Sequence, residues 1–274
     1  MSQAQTLSAN DRVAVELAET GIAHVRFVRA DKMNALDAAM SDAMIEAAQL
    51  LSGTQGVRVV VLSGEGRAFC AGLDTSNFGG SNSSARLLEE RTHGNTNKFQ
   101  ELAYQWRRLG VPVIAAIHGV CFGGGLQIAS GADIRIVHPQ TRMSVMEMKW
   151  GLVPDMAGYA LWRGLVRDDV LRELVYTNRE FSGAEAQTLG FATYVEEDPL
   201  ARAMAIAEVI SGKNPHAIQA AKRLHDTMYD QSTDDILMSE SLEQDKIMRT
   251  KNQVEAVMSS MQKRPAVFED VAVG

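Results

Sequence analysis

Two glycine turns, each just beyond a strongly apolar run, are the segments of this chain best suited to chemistry. The first, Arg67-Ala68-Phe69-Cys70-Ala71-Gly72-Leu73-Asp74, follows the β-branched run Val57–Leu62. The second, Phe122-Gly123-Gly124-Gly125-Leu126, follows Val113–Ile117 and opens a short helical pattern. Small residues let a backbone turn sharply with its N–H groups unblocked. At a helix N-terminus such groups, aided by the dipole, favour developing negative charge. Two turns at the ends of neighbouring strands can aim one N–H each at a single oxygen, the geometry of an oxyanion hole. Taken singly, each turn reads equally as a tight packing loop.

Carboxylates are the other candidates. Glu147 sits among Met146, Met148 and Trp150, an apolar setting that disfavours ionisation and lifts a carboxyl toward the working range. On its own it reads first as a surface or salt-bridged glutamate at a strand end. Asp155 follows Pro154 and reads as the N-cap of a helix starting near Met156, a common use of aspartate. Gly64-Glu65-Gly66 has Phe69 where a dinucleotide fingerprint needs a third glycine, and Gly212-Lys213 lacks the upstream glycine of a P-loop. Neither a G-x-S-x-G elbow nor an H-E-x-x-H motif occurs. Cys70 and Cys121 stand in no metal spacing, so neither a metal site nor a disulfide framework is expected. They read as small buried fillers, and His118 reads as structural. Chemistry is left to backbone groups and carboxylates.

The elements that position these residues follow from patterning. With 274 residues, 46% hydrophobic and 22% charged, the chain can bury a sizeable core. Its 27 Lys+Arg against 34 Asp+Glu give a net charge of −7 with no basic block, which argues against nucleic-acid binding. The start MSQAQTLSANDR carries no targeting pattern, and no run approaches the ~18 apolar residues a membrane span requires. A soluble, cytoplasmic protein with no membrane partner is expected.

Residues 1–11 read as a loose end. Val13–Leu17 and Ile22–Phe27 read as a hairpin about Glu19-Thr20-Gly21, and an amphipathic helix follows Asp37. Strands are expected at Val57–Leu62, Val113–Ile117, Ile134–Val137 and Met143–Val145, with a helix at Phe99–Leu109. Asp74–Asn97 is rich in Ser, Gly and Asn and reads as a mobile loop or lid, with a helical piece near Ala85–Arg91. Beyond about residue 195 only helices are expected: Pro199–Ser211, His216–Tyr229, Asp235–Lys246 and Asn252–Gln262. The reading is an α/β core over 1–199 and a helical region over 200–274.

Five segments in order make the chain recognisable: 29–36 (RADKMNAL), 68–74 (AFCAGLD), 118–127 (HGVCFGGGLQ), 146–155 (MEMKWGLVPD) and 264–269 (RPAVFE). The sequence resembles the crotonase superfamily, the enoyl-CoA hydratases and isomerases, over nearly its whole length. The resemblance implies an α/β fold, a spiral of ββα turns with a C-terminal helical trimerisation region, and a homotrimer or dimer of trimers. It also implies an acyl-CoA substrate whose enolate is held by two backbone amides, by motif position those of Leu73 and Gly124. No separate cofactor is implied, since CoA is part of the substrate. Asp31, Lys32, Met33, Ala35, Ala71 and Asp74 match segments bordering CoA. Phe122 and Gly123 match the substrate-binding turn. Phe268 and Arg264 resemble tail residues that reach a neighbouring subunit's CoA, although simple docking of the last helix explains them too. Ser76 stands where family members often carry a lysine.

Similar hydratases hold a water between two glutamates. Those positions are Gln127 and Glu147 here, and a glutamine orients water but exchanges no proton near neutral pH. Losing one general acid or base costs ~10²–10⁴-fold. The spacing of Glu147 and Asp155 is similar to the carboxylate pair of dienoyl-CoA isomerases, which also carry an acid at the Gln127 position. The expected function is therefore enoyl-CoA double-bond isomerisation, with Glu147 moving a proton and Asp155 as a second acid. The alternatives are an enoyl-CoA hydratase that uses Glu147 with Gln127 orienting water, and a non-catalytic CoA-binding homologue.

Overall fold

The computed structural model describes residues 4–74 and 88–273. Its N-terminal strands β1 (Ala4–Ala9), β2 (Val13–Ala18) and β3 (Ile22–Phe27) pair antiparallel in chain order. The β2–β3 turn closes on Gly21 at φ 82°, its N–H donating to the Ala18 carbonyl. The N-terminal segment is thus a paired edge strand where a loose end was expected. Most of its residues are exposed, so pairing with β2, which no apolar period signals, is what orders it.

Helix α1 (Ala38–Gly53) starts at Asp37, whose side chain accepts from Met40 N. Strand β4 (Val59–Gly64) follows, and then α2 (Lys98–Arg108), opened by a capping box between Asn97 and Gln100. The chain continues through β5 (Val113–Ile117), β6 (Val120–Phe122), α3 (Gly124–Ser130), β7 (Ile134–Val137) and β8 (Arg142–Ser144). After these come α4 (Gly158–Trp162), α5 (Asp168–Thr177), β9 (Phe181–Ser182), α6 (Gly183–Leu189) and β10 (Tyr194–Val195). Four helices end the chain: α7 (Pro199–Ser211), α8 (Pro215–Thr227), α9 (Thr233–Ile247) and α10 (Lys251–Gln262). All four fall where the sequence places helices.

Among the described residues, a large sheet has the order β1-β2-β3-β4-β5-β7-β10, parallel from β3 onward. A small second sheet has the order β6-β8-β9. Two isolated bridges extend that second layer, Leu36 to Leu73 and Cys70 to Cys121. Each turn of the chain therefore lays one strand in the large sheet, the next segment in the second layer, and then a helix. This is the ββα spiral of the crotonase fold.

Alternation along the strands sorts the core. Val60, Leu62, Val113 and Ala115 face one cluster with α1, α2 and α3. Val59, Val61, Ile114 and Ile136 face Ala203 and Ala207 of α7. A boundary at 199/200 would separate the helix that closes the sheet's second face from the sheet itself. The strands are buried on both sides, which explains their near-continuous apolar runs.

Of the lid expected at 74–97, residues 75–87 lie outside the described residues. Residues 88–91 form a turn where a helix was expected, and the segment up to α2 is anchored. Asn97 Nδ2 and Arg91 Nη2 both donate to the Leu88 carbonyl at 2.8 Å.

Candidate active site

The two glycine turns meet. Segment 70–74 lies between residues 33–36 on one side and β6 with the start of α3 on the other. Leu36 N donates to the Gly72 carbonyl at 2.8 Å, and Asp74 N donates to the Leu36 carbonyl at 3.0 Å. Since successive N–H groups of an extended chain alternate sides, the Leu73 N–H points away from Leu36, toward α3. On that side Cys70 N donates to Val120 O and Phe122 N to Cys70 O, both at 3.1 Å. The approach leaves no room for side chains. A Cβ on Gly72, at φ 84°, would stand 2.7 Å from the Phe122 carbonyl oxygen and 3.5 Å from Gly124 N, and one on Gly125 would stand 2.4 Å from the Cys70 carbonyl oxygen. Gly124 is the first residue of α3, where an N–H has no partner within the helix. Leu73 and Gly124 border one cavity of about 390 Å³.

Glu147 opens a 3₁₀ turn over Glu147–Trp150 and borders the same cavity with 9% of its surface exposed. Its Oε1 accepts from Gln127 Nε2 at 2.6 Å, and its buried Oε2 has no hydrogen-bond partner among the described residues. Burial pushes its carboxyl above the ordinary range, the charge of Asp155 adds to this, and the Gln127 contact pulls back. Asp155 also borders the cavity and caps no helix. Helix α4 begins only at Gly158, with Ala157 as N-cap in a left-handed conformation at φ 69°. Partial desolvation at the cavity wall pushes the Asp155 carboxyl up as well. Gln127 does not border the cavity. It lies behind Glu147, 1% exposed, and its Oε1 accepts from Met156 N and Gly158 N, both at 2.9 Å. Two backbone amides and two carboxyls with raised pKa thus share an apolar-walled space, a constellation suited to enolate chemistry.

Comparison with known proteins shows the family. The family model described as enoyl-CoA hydratase/isomerase matches residues 18–271. The chain belongs to the enoyl-CoA hydratase/isomerase family. Among its relatives is a mouse protein named Delta(3,5)-Delta(2,4)-dienoyl-CoA isomerase, mitochondrial, 28% identical over 93% of this chain and 80% of the relative. Another, enoyl-CoA hydratase EchA19 of Mycobacterium tuberculosis, is 31% identical over 69% of this chain and 71% of its own. Among solved structures, a putative enoyl-CoA hydratase from Streptomyces coelicolor superposes with a TM-score of 0.86 at 27% identity, covering 98% of each chain.

Within this hydratase/isomerase family member, the residues matched to CoA-bordering segments divide. Ala71, Phe122 and Gly123 border the cavity, whereas Asp31, Lys32, Met33 and Ala35 do not. Met33 supports it from behind, its carbonyl accepting from Ala71 N at 2.9 Å. Asp74 is occupied. Its carboxylate pairs with Arg29 at 2.8 Å, and Arg29 also donates to the Ala35 carbonyl. The pair ties the first glycine turn to the preceding segment, so Asp74 serves the backbone here. Phe268 is buried against its own chain, away from this cavity. Its carbonyl accepts from Arg58, while Arg264 pairs with Glu255. For both, docking of the tail accounts for what the structure places there.

Sequence reasoning missed several lining residues: Leu88, Phe99, Trp150, Leu152 and the pair Arg142–Glu180, joined by two contacts of 2.8 Å. Only the apolar neighbours of Glu147 gave a signal. Met146 and Met156 also border the cavity. Cys70 and Cys121 are free and buried, and burial pushes the Cys70 thiol up to about 12. His118 bonds the Gly66 carbonyl at 2.9 Å, a structural use. Among the described residues no cluster could hold a metal ion, and no helix is long and apolar enough to cross a membrane.

Proposed function

We propose that this family member is a double-bond isomerase of enoyl- or dienoyl-CoA thioesters, with Glu147 as the proton carrier and Asp155 as a second acid. The observation that supports this reading most is that the carboxyls of Glu147 and Asp155 border one cavity. The second acid beside Glu147 is Asp155, while Gln127 is withdrawn behind it. In the proposed step, Glu147 Oε2 takes the proton α to the thioester carbonyl. The C–H electron pair becomes a C1–C2 double bond, and the carbonyl oxygen takes the charge, facing the N–H groups of Leu73 and Gly124. Such stabilisation as charge develops is what makes so weak a carbon acid reactive. With a 3-enoyl thioester, Glu147 returns the proton to the γ carbon. With a 3,5-dienoyl thioester the accepting carbon lies further along the chain, and Asp155 supplies the proton. Asp155 then regains one from solvent as Glu147 loses its own. The sequence is redox-neutral and uses no cofactor beyond the CoA of the substrate.

Two features support the dienoyl substrate: the mouse relative's name and the spacing of Glu147 and Asp155. A hydratase with Gln127 orienting water fits less well. The Gln127 carbonyl is spent on Met156 and Gly158, its amide turns to Glu147, and it does not border the cavity. Assembly as a trimer or dimer of trimers is part of the same proposal, supported by apolar residues left exposed on α9 and α10. A cytoplasmic location is proposed from the sequence alone.

Product analysis on 2-enoyl-, 3-enoyl- and 3,5-dienoyl-CoA tests the reading. We expect double-bond shifts into conjugation, with hydration of 2-enoyl-CoA slower by ~10² or more. Hydration as the fastest reaction would overturn it.

A further inference from the structure

We infer that Gln127 is a positioning residue, a strut that fixes Glu147 and the Asp155 turn relative to each other and leaves Glu147 Oε2 as the oxygen that carries the proton. This inference rests on the isomerase reading for its meaning, though its geometry stands apart from it.

The orientation of the Gln127 amide is not a free choice. Its Oε1 meets two backbone donors, Met156 N and Gly158 N, each at 2.9 Å. Turned the other way, the NH₂ group would face two N–H groups, donor against donor. With the oxygen fixed there, Nε2 must point to Glu147, and it donates to Oε1 at 2.6 Å. The two backbone donors flank Ala157, a non-glycine residue held left-handed at φ 69°, a conformation that persists when its surroundings over-determine it. A Cβ on Gly158 would stand 2.7 Å from Gln127 Oε1, so only glycine admits the contact. Gln127 lies one turn into α3, its N–H donating to the Gly123 carbonyl at 3.0 Å. One short helix therefore carries the Gly124 amide at its start and the strut for both carboxyl-bearing segments behind it.

This arrangement gives the glutamine a reason. A glutamate at 127 would keep the bonds from Met156 and Gly158. It would, however, set a second carboxylate oxygen against Glu147 Oε1, and two carboxyls so close share one proton. The amide gives Glu147 a donor and leaves it to titrate against the charges that border the cavity. Those are Asp155 from the turn after the 3₁₀ segment, Lys149 from that segment, Arg142 from β8 and Glu180 ahead of β9. Arg142 and Glu180 are engaged with each other. α3 supplies no titratable group (GGLQIAS), and the residues α5 buries are Leu174 and Val175.

The test follows the titration of Glu147 by carboxyl ¹³C NMR in the wild-type protein and in Gln127→Glu, with the signal assigned through Glu147→Gln. The pH profile of kcat/KM on 3,5-dienoyl-CoA is measured beside it. We expect the Glu147 midpoint to rise by one pH unit or more in Gln127→Glu, a tenfold or greater gain in proton affinity. The acid limb of kcat/KM should move with it while KM stays within twofold. A folded Gln127→Glu with an unmoved Glu147 midpoint would overturn the inference. Should that variant not fold, the wild-type protein decides through ¹⁵N-labelled glutamine. The Gln127 side-chain amide signal must shift as Glu147 titrates and lose that shift in Glu147→Gln, and a signal indifferent to pH overturns the inference. A wild-type protein that turns over none of the thioesters would instead remove the isomerase reading and leave the titration result standing.

Discussion

Leu36 and Leu73 face each other as a parallel bridge, and their pairing turns the Leu73 N–H toward the first amide of α3. The proposed oxyanion hole thus draws on the second layer of the spiral, where the segment that carries Leu73 bonds to Leu36 on one edge and to β6 on the other. Gly72 is the residue on which this depends. A methyl there meets the Phe122 backbone at 2.7 Å with φ at 84°, and no flexible side chain can yield. Gly72→Ala is expected to lose about 1–3 kcal/mol of stability and ~10²-fold or more in kcat/KM. Thermal unfolding and steady-state kinetics on one preparation measure both.

The raised pKa of Glu147 gives activity a direction with pH. A base must be ionised to take a proton, so kcat/KM should rise with pH through a midpoint above the ordinary carboxyl value of 4.5. The same shift acts oppositely on stability. The native state holds the proton more tightly than the unfolded chain, so this contribution is present below pH 4.5 and lost as pH rises through the native midpoint. An acid limb at or below 4.5 would contradict the burial of Glu147.

His24 supplies a stability test away from the cavity. Its Nε2 lies 2.8 Å from Ser63 Oγ, and burial, aided by the charge of Arg26, lowers its pKa from 6.5 to about 4. Between those values the unfolded chain binds a proton the native state refuses. Stability should therefore fall as pH drops from about 6.5 to 4, by no more than ~3 kcal/mol. Melting temperatures across that range should show the slope, and His24→Gln should flatten it.

Much of this was legible in the sequence, for identifiable reasons. Val57–Leu62 and Val113–Ile117 read as strands because both faces are buried, and Asp37 marked α1 because its side chain caps it. Glu147 and the two glycine turns stood out because their residue types suit enolate chemistry. β1 was missed since its order comes from pairing with β2 and not from an apolar period. Asp155 was read as an N-cap because Asp before a helical pattern usually is one, whereas the left-handed Ala157 delays α4 to Gly158. Gln127 was legible as a departure. Its role was not, because that depends on Met156 N and Gly158 N, which only the folded turn brings to it.

Assembly is a fourth expectation. Leu237, Met238 and Leu242 on α9 and Met261 on α10 are each more than half exposed, and the proposed assembly would cover them. Light scattering should give a multiple of three protomers, and Leu242→Asp together with Met261→Asp should reduce it. A monomeric wild-type protein would contradict the trimer.

Turnover by Glu147→Gln tests the central claim most directly. The substitution keeps size and removes the proton-carrying group. On 3-enoyl- and 3,5-dienoyl-CoA we expect kcat to fall by ~10²–10⁴, with thioester binding and the melting profile retained. A folded Glu147→Gln protein that isomerises both thioesters at the wild-type rate would show that the proton travels by another route.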